Sequence, residues 1–414
     1  MAVGRNGIIA ALDVGSNKVC CFIARADGSA GIRVIGIGHQ VSRGMRSGVV
    51  TDMEAAEASI RAAVDAAERM ASETVQGVYA NVTSGPLNSR TLTAEIDIAG
   101  HAVNDGDVRR VLLQSKARIG KGEGDILHAL PVAHIVDGSR GVRDPRGMFG
   151  DRLGVQLHVL AAAPGPIRNL RTVIERCHLE VHGLAASAYA SGLSCLVDDE
   201  MDLGVTLLDM GAGTTSVSVF YEGAMVHANV IPVGGAHVTN DIARGLSTTA
   251  SHAERMKTLY GSAIPSPADE REMVSVPQVG ETGSDAVQQV PRSILVGIIQ
   301  PRIEETLELV RDRLSAGGFA RVAGRRLVLT GGAGQLTGVR ELAARVLDKQ
   351  VRIGRPLRIQ GLAEATEGPV FSTCAGLLAY ATRRPDESRD VVETAIDQHG
   401  GRLLRVGRWL KENF

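Results

Sequence analysis

The chain has 414 residues, of which 44% are hydrophobic and 22% are charged, a balance typical of a soluble globular protein with about two to four domains. Its formal net charge is −1, which excludes a polycation built to bind nucleic acid. The five cysteines form no CxxC pair, so we expect them to be buried and reduced rather than metal ligands.

The N-terminal part alternates apolar segments with turns. Thr51 and Glu54 form a capping box ahead of apolar residues at helical spacing, which predicts a helix extending to Ala71. The predicted strands around it cover residues 8–14, 19–25, 32–40 and 77–83.

The same order returns in the second half. A strand ends in an aspartate at Asp13 and again at Asp209, and each aspartate precedes a glycine turn, a strand, a second turn and a third strand. The later copies of these elements are residues 204–209, 211–215, 216–221 and 226–233, closed by Gly234-Gly235. A match over the whole ordered set predicts two related halves.

A third glycine loop begins at Gly331, after a predicted strand at 326–330 and before an amphipathic helix at 338–348. Residues 262–293 are rich in Pro, Ser, Gly and acidic residues and are predicted to be irregular or short-stranded. Residues 383–401 have the composition of a linker.

Glycine directly after a strand lets backbone N–H groups approach a phosphate, because no Cβ stands in the way. Lys18 adds a cation to the first loop, and Thr214 and Thr215 add hydroxyl donors to the second. The aspartates at the strand ends suit a Mg²⁺ ion held with the phosphates, usually through water. Either loop alone could be an ordinary tight turn, but three glycine loops, two with matched aspartates, favour a phosphate site.

This ordered set resembles the actin/Hsp70/hexokinase superfamily, in which two phosphate loops and an adenosine loop follow in this order. The resemblance implies an α/β fold with two duplicated actin-like (ribonuclease H-like) domains around a nucleotide cleft that binds ATP. Residues 234–243, 253–257 and 351–356, and the stretch from Gly147 to Val159, narrow the resemblance to the FtsA family of division proteins. It covers nearly the whole chain, from about residue 8 to 382 and then the tail.

The nucleotide-binding residues implied by the resemblance are Asp13, Gly15, Ser16, Asn17, Lys18, Asp209, Gly211, Gly213, Thr214, Thr215, Gly234, Gly235, Glu254, Lys257, Gly331, Gly332 and Ala333. Asp13 and Asp209 would hold Mg²⁺ through water. Glu254 and Lys257 would lie near the ribose and base.

Two stretches depart from the family pattern. Ala212 stands where glycine is common, and its methyl is tolerable only with a negative φ. Residues 185–191 offer no Gln, Glu or His to position an attacking water, so we expect ATP binding with at most weak ATPase activity, and the question of an enzymatic role stays open. Asp199 and Glu200 follow, and both are predicted to be solvated.

The resemblance divides the chain into actin-like domain 1A (1–85 and 166–204), an inserted small α/β, SHS2-like subdomain 1C (86–165), domain 2A (205–243 and 320–382), subdomain 2B (244–319), a linker (383–401) and a terminal helix (402–414). Subdomain 1C is expected to contribute to self-association and to contacts with later division proteins, although a plain insertion without partners is the alternative.

The terminal segment 402–414 has an apolar stripe within about 100° of a helical wheel and basic residues on the other side. Its predicted membrane residues are Leu403, Leu404, Val406, Trp409, Leu410 and Phe414, with Arg405, Arg408 and Lys411. A helix packed back on its own domain would need neither a linker nor a row of cations. We therefore expect peripheral binding to an anionic membrane surface, and the segment is too short to span.

The expected function is that of an ATP-binding division protein that tethers FtsZ filaments to the cytoplasmic side of the inner membrane at the division site. Its expected partners are the FtsZ C-terminal peptide docked on 2B, other copies of itself in filaments or dimers, and later divisome proteins. The alternatives are a PilM-like or MreB-like assembly protein, a superfamily kinase or an Hsp70-like chaperone. A kinase would need a catalytic acid, and none is found in the sequence. MreB proteins lack the insert, and a PilM-like protein would not need the tail. A chaperone would need a long domain after residue 382.

Overall fold

The computed structural model describes residues 7–26, 31–85, 87–120, 124–280, 287–319, 322–357, 359–362 and 364–382. This described part separates into two compact units, one formed by residues 7–87 with 163–382 and the other by residues 88–162. The predicted linker 383–401 and terminal helix 402–414 lie outside the described residues. None of the helices in the described part is long and apolar enough to cross a membrane.

Strands and helices alternate along both units. The strands are β1 (Ile8–Val14), β2 (Lys18–Ala26), β3 (Ile32–Val41), β4 (Met45–Arg46), β5 (Val49–Val50), β6 (Gly77–Val82), β7 (Asn88–Asp97), β8 (Asp125–Val136), β9 (Ser139–Val142), β10 (Arg152–Ala162), β11 (Glu180–Ala186), β12 (Val205–Met210), β13 (Thr215–Tyr221), β14 (Ala224–Ile231), β15 (Met273–Pro277), β16 (Val287–Pro291), β17 (Arg326–Thr330), β18 (Gln350–Ile353) and β19 (Ile359–Gln360). The helices are α1 (Met53–Ala71), α2 (Asp105–Ala117), α3 (Pro164–Arg176), α4 (Ser187–Cys195), α5 (Asp198–Leu203), α6 (Gly235–Gly245), α7 (Ala250–Tyr260), α8 (Arg292–Ala316), α9 (Val339–Leu347) and α10 (Ser372–Thr382).

The first sheet of the larger unit has the order β11–β6–β1–β2–β3–β19. Strands β1, β2 and β3 form an antiparallel meander, whereas β6 and β11 join β1 in parallel. Helix α1 packs on β2 and β3, and α10 packs on β1, β2 and β6. Because helices cover the sheet, β1 is an almost continuous apolar run that is buried from Ile9 to Val14.

The second sheet repeats this topology in the order β14–β13–β12–β17–β18. Its meander β12–β13–β14 is antiparallel, and β17 and β18 follow in parallel. Strand β12 thus stands where β1 stands in the first sheet, and β17 where β6 stands. The predicted duplicated α/β fold is confirmed.

Helices α4 and α10 cross each other very closely. A Cβ built on Gly376 would lie 1.8 Å from the carbonyl oxygen of Ala190, so only glycine permits this approach. Ala190 and Leu377 belong to the hydrophobic core of the first sheet, while α4 also contacts β12 and β13 of the second sheet. The crossing therefore links the two sheets of the larger unit.

The smaller unit is an α/β insert whose sheet has the order β7–β10–β8–β9. Helix α2 packs on β7 and β10 and buries Val111 and Leu112 against Leu153 and Leu157. Asn104 caps α2 by accepting hydrogen bonds from the backbone N–H groups that follow it.

Two local predictions are wrong. The cap of α1 is Asp52, whose carboxylate accepts from the N–H groups of Glu54 at 3.1 Å and Ala55 at 3.0 Å, and not the predicted box of Thr51 with Glu54. Glu200 is buried rather than solvated, because Arg352 Nε of β18 donates to Glu200 Oε1 at 2.7 Å. Burial raises the pKa of Glu200, but the hydrogen bonds from Arg352 and from a backbone N–H outweigh it, so its pKa lies below the usual range.

Candidate functional site

Two hairpin loops of equal length meet in a cleft of the larger unit. They are residues 15–18, which connect the paired residues Val14 and Val19 and include the first residue of β2, and residues 211–214, which connect the paired residues Met210 and Thr215. In each loop the N–H of the first residue donates to the carbonyl of the fourth, at 3.0 Å in the first loop and 2.9 Å in the second. The duplication therefore extends to the loops, and the N–H groups of Gly15 and Gly211 are satisfied inside their turns.

The two loops touch each other through small residues. A Cβ on Gly213 would lie 2.3 Å from Ser16 Oγ, so glycine is required at this contact. Ser16 Oγ in turn accepts a hydrogen bond from the N–H of Gly48 at 3.0 Å, in the turn between β4 and β5. The first loop is therefore fixed by the β4–β5 hairpin on one side and by the second loop on the other.

The cleft between the loops has a cavity volume of about 130 Å³. The predicted residues that line it are Asp13, Gly15, Ser16, Asn17, Lys18, Asp209, Gly211, Gly213, Thr214, Gly331 and Gly332. It is also lined by Asn81, Thr83, Ser187, Ala212, Ser216, Val370 and Thr373. The three glycine loops, far apart in sequence, thus come together around one cavity.

Asp13 is a buried carboxylate at the end of β1. Asn81 Nδ2 donates to its Oδ1 at 2.8 Å, and Lys18 Nζ lies 4.0 Å from its Oδ2. Burial is the largest influence and raises the pKa of Asp13 to about 6 against the opposing charge of Lys18, while the charge of Asp209 adds to the rise. A bound cation would stabilise this carboxylate in its ionised form.

Asp209 occupies the same place at the end of β12 but has different partners. Its Oδ2 accepts hydrogen bonds from Ser191 Oγ at 2.6 Å and from Thr373 Oγ1 at 3.0 Å. Burial raises the pKa of Asp209 above its ordinary value, although both hydroxyls and the charge of Lys18 act against the rise. The cleft therefore holds two buried carboxylates beside Lys18.

The side chain of Lys18 is held by the residues just before α10. Its Nζ donates to the carbonyl oxygen of Val370 at 2.7 Å and lies 4.0 Å from the centroid of the Phe371 ring. This arrangement fixes the amine of the first loop next to the segment that leads into α10.

Thr215, predicted as a second hydroxyl donor of the second loop, does not face the cleft. Its Oγ1 donates to the carbonyl of Val233 at 2.8 Å, and the residue is fully buried. Successive side chains of a strand point to opposite faces, so Ser216, the next residue of β13, lines the cleft while Thr215 points into the domain; Thr214 lines the cleft from the loop.

Gly234 and Gly235 support the second loop from behind and do not line the cleft. The N–H of Gly235 donates to the carbonyl of Gly211 at 3.0 Å, and a Cβ on Gly234 would lie 2.6 Å from the carbonyl oxygen of Ala212. Ala212 is not among the residues with positive φ, which satisfies the condition set for its methyl group.

Glu254 and Lys257 form a polar cluster on α7, next to Gly235. Lys257 Nζ lies 2.7 Å from Glu254 Oε2 and donates to Thr239 Oγ1 at 2.9 Å and to the carbonyl of Gly235 at 3.2 Å. A Cβ on Gly235 would lie 3.0 Å from Cβ of Ala333, so the third glycine loop reaches the same place. These predicted residues are brought together, but beside the lined cleft and not in it.

Substituting Gly331 with alanine is expected to lower the free energy of unfolding by at least about 2 kcal/mol. Gly331 has φ of +84°, and a Cβ there would lie 2.4 Å from both Asp209 Oδ1 and the carbonyl of Met210. The neighbouring Gly332→Ala is the control, because its Cβ would meet nothing closer than 3.8 Å and its backbone is helical. Urea denaturation that gives both variants the same midpoint would contradict this account.

The reasoning from sequence missed several cleft residues, among them Asn81, Ser187 and Thr373, and it also missed Ser191, which bonds Asp209 without lining the cleft. Asn81 bridges Asp13 and Ser187, since its Nδ2 also lies 3.0 Å from Ser187 Oγ. A polar residue inside the apolar strand β6 was a usable signal for Asn81. Ser187 and Ser191 are four residues apart and thus share a helix face, but the neighbouring sequence does not indicate that this face contacts an aspartate.

Comparisons with known proteins identify related chains. The family model "Cell division protein FtsA" matches residues 206–376, and the model "SHS2 domain inserted in FTSA" matches residues 85–161. The cell division protein FtsA of Rhizobium meliloti (strain 1021) is 48% identical over 422 residues, which cover 99% of this chain and 96% of the relative. That of Escherichia coli (strain K12) is 32% identical over 415 residues, covering 98% of each.

Solved structures show the same fold at low identity. The PilM-PilN type IV pilus biogenesis complex matches with a TM-score of 0.63 at 16% identity, covering 91% of this chain and 98% of the other. MreB5 of Spiroplasma citri bound to ADP matches with a TM-score of 0.54 at 14% identity, covering 92% and 97%. Such likeness establishes an actin-like fold and no more, whereas the curated relatives decide among the alternatives: the chain belongs to the FtsA family of cell division proteins.

Proposed function

We propose that this protein binds ATP with Mg²⁺ in the cleft and, in a nucleotide-dependent assembled state, tethers FtsZ filaments to the cytoplasmic face of the inner membrane at the division site. The observation that carries the nucleotide part is the pair of matched hairpin loops, each preceded by a buried aspartate and both facing one cavity. Self-association into filaments or dimers and recruitment of later divisome proteins, with the inserted unit taking part, belong to the same proposal.

The cleft residues fit the triphosphate of a nucleotide. Glycines at 211, 213, 331 and 332 leave room for close approach, and Lys18 and the Thr214 hydroxyl supply donors at the cavity wall. The Lys257–Glu254 cluster beside Ala333 is suited to the ribose and base, because it offers both a donor and an acceptor at the end of the third loop.

The pair Asp13 and Asp209 fits Mg²⁺, which favours one or two carboxylates together with waters and phosphate oxygens. Burial raises the pKa of both carboxyl groups, so their ionised forms are short of compensating charge. When bound, the ion would supply that charge and would neutralise the phosphates.

Hydrolysis is proposed to be weak. The first residue of α4, Ser187, lines the cleft and Asn81 lies beside it, but neither an amide nor a hydroxyl side chain acts as a general base toward water. Asn81 and Ser187 can only orient a water through hydrogen bonds.

Isothermal titration of the full chain with ATP, in Mg²⁺ and in EDTA, tests the nucleotide proposal. We expect saturable binding at one site per chain that tightens in Mg²⁺. A chain that binds no ATP under either condition would overturn the proposal.

The docking site for the FtsZ C-terminal peptide is proposed on 2B (244–319), around an exposed apolar patch. We define this 2B patch as Leu259, Tyr260, Met273 and Ile294, which are 59%, 39%, 50% and 46% exposed. Arg292 brings the segments together, since its Nε donates to the carbonyl of Tyr260 at 2.6 Å and its N–H to the carbonyl of Glu272 at 2.8 Å. An exposed apolar patch with a polar surround is typical of a peptide-docking surface.

Replacing Ile294 with glutamate is expected to weaken binding of the FtsZ C-terminal peptide at least about tenfold, because a charge would be buried at the centre of the contact. Fluorescence anisotropy of a labelled peptide measures the change. The control is Leu203→Glu, at a leucine of α5 that lies outside the 2B patch and is more exposed than Ile294. Equal affinity of the two variants would remove the patch from the proposal.

The membrane part rests on the terminal segment 402–414, with its apolar stripe, its basic residues and its single Trp409. Apolar burial together with about 1 kcal/mol for each basic residue would hold such a helix on an anionic surface.

A further inference from the structure

Asp209 is held by two hydroxyls that belong to different helices. Ser191 Oγ on α4 and Thr373 Oγ1 on α10 both donate to Asp209 Oδ2, at 2.6 Å and 3.0 Å, and the two hydroxyl oxygens lie 2.9 Å apart. All three side chains are buried. We call Ser191 and Thr373 the hydroxyl clamp.

The clamp joins the two halves of the larger unit. Asp209 ends β12 of the second sheet, but α10 and the Ala190 turn of α4 belong to the core of the first sheet. Asp13 differs, because its partner Asn81 comes from β6 of its own sheet. A displacement of β12 relative to α10 must therefore strain the bond from Thr373 to Asp209, whereas the bond from Asn81 to Asp13 lies within one sheet and is left intact.

The clamp also orients the carboxylate. Both hydroxyls bond Oδ2 of Asp209, which leaves the other carboxylate oxygen, Oδ1. This oxygen lies beside Gly331 at the cleft wall, since a Cβ built on Gly331 would lie 2.4 Å from it. Partners that hold the ligands of a metal in position commonly change metal affinity although they never touch the ion.

We infer that Ser191 and Thr373 are positioning residues that present Asp209 Oδ1 to a cation in the cleft and couple cation binding to the α4–α10 crossing. This inference rests on the proposed function. The Gly376 contact makes that crossing too tight to absorb a movement locally, so a change at Asp209 passes to both helices.

The test compares Ser191→Ala, Thr373→Val and the double variant with the wild-type chain. ATP affinity is titrated in Mg²⁺ and in EDTA, and hydrogen exchange in α4 and α10 is followed with and without Mg²⁺-ATP. We expect the double variant to weaken ATP binding in Mg²⁺ by about tenfold or more, with unchanged affinity in EDTA. We also expect the double variant to lose the slowing of exchange that Mg²⁺-ATP produces in the wild type. The variant Thr373→Ser, which keeps a hydroxyl at this position, should show the ATP affinity and the slowing of exchange of the wild type.

Ser194→Ala is the matched control. Ser194 is a buried hydroxyl on the same helix, and it joins α4 to α10 through the carbonyl of Ser372 at 2.7 Å without touching Asp209. It should cost stability but leave the Mg²⁺ dependence unchanged. Wild-type Mg²⁺ dependence in the double variant, or an equal loss in Ser194→Ala, overturns the inference alone. A wild-type chain that binds no Mg²⁺-ATP overturns the proposed function and this inference with it.

Discussion

A chain ending at Gly401 is expected to stay in the supernatant when anionic liposomes are pelleted, whereas the intact chain sediments with them. The removed segment contains four basic residues, each contributing about 1 kcal/mol on an anionic surface, in addition to its apolar stripe. Their loss corresponds to a change in membrane affinity of about a thousandfold. Added salt should weaken the binding of the intact chain, because screening shortens the distance over which the basic residues attract the anionic surface.

A single substitution separates membrane insertion from simple charge attraction. Trp409→Glu keeps the helix length and the basic residues but places a carboxylate at the border of the apolar stripe, and it should weaken sedimentation at least about tenfold. Trp409→Phe is its matched control and should sediment with the liposomes. If the truncated chain and Trp409→Glu both pellet like the intact chain, the terminal segment is not the anchor.

Asp13→Asn is expected to raise the thermal stability of the ligand-free chain and to abolish its stabilisation by Mg²⁺-ATP. The folded-state pKa of Asp13 is about 6, against an ordinary value of 3.8. Keeping this carboxylate ionised at neutral pH therefore costs about 2 to 3 kcal/mol of folding free energy, which an uncharged amide does not incur. The amide keeps an oxygen that can accept the hydrogen bond from Asn81.

The sign of the pH dependence follows from the raised pKa. Relative to an uncharged residue, ionisable Asp13 costs nothing below its unfolded pKa, and the cost appears as the pH rises from there through about 6. The advantage of Asp13→Asn should therefore be present at about pH 8 and small at about pH 4. Differential scanning fluorimetry over this range, with and without Mg²⁺-ATP, measures both effects.

Asp199→Asn is the control for this substitution, because Asp199 is an exposed aspartate. It should leave the melting temperature and the Mg²⁺-ATP response unchanged. An Asp13→Asn chain that melts below the wild type at every pH, or that keeps the full Mg²⁺-ATP response, would contradict the placement of a cation at Asp13.

The parts of the site that sequence reasoning found are those encoded locally. An apolar strand, an aspartate at its end and a glycine turn occupy one short stretch, so Asp13, Asp209 and the loops after them could be located from pattern alone. The duplication strengthened the prediction of these loops, because the same order of strands and turns found twice in a chain is easier to recognise than a single occurrence.

The missed residues depend on contacts between distant segments. Asn81 bonds an aspartate 68 positions away, and Thr373 one 164 positions away, so tertiary packing alone assigns them to the cleft. Thr215 was predicted together with Thr214 as a loop donor, but Thr215 already belongs to β13, and its hydroxyl donates to the carbonyl of Val233. Glu200 was misjudged because its partner, Arg352, lies on a strand far along the chain.

The most direct test of the whole account is co-sedimentation of FtsZ with anionic liposomes in Mg²⁺-ATP. We predict that FtsZ pellets with the liposomes when the intact chain is present, and stays in the supernatant when that chain ends at Gly401 or carries Ile294→Glu. FtsZ that pellets equally with the intact chain and with both variants would contradict the account, because neither the terminal segment nor the 2B patch would then be needed to hold it at the membrane.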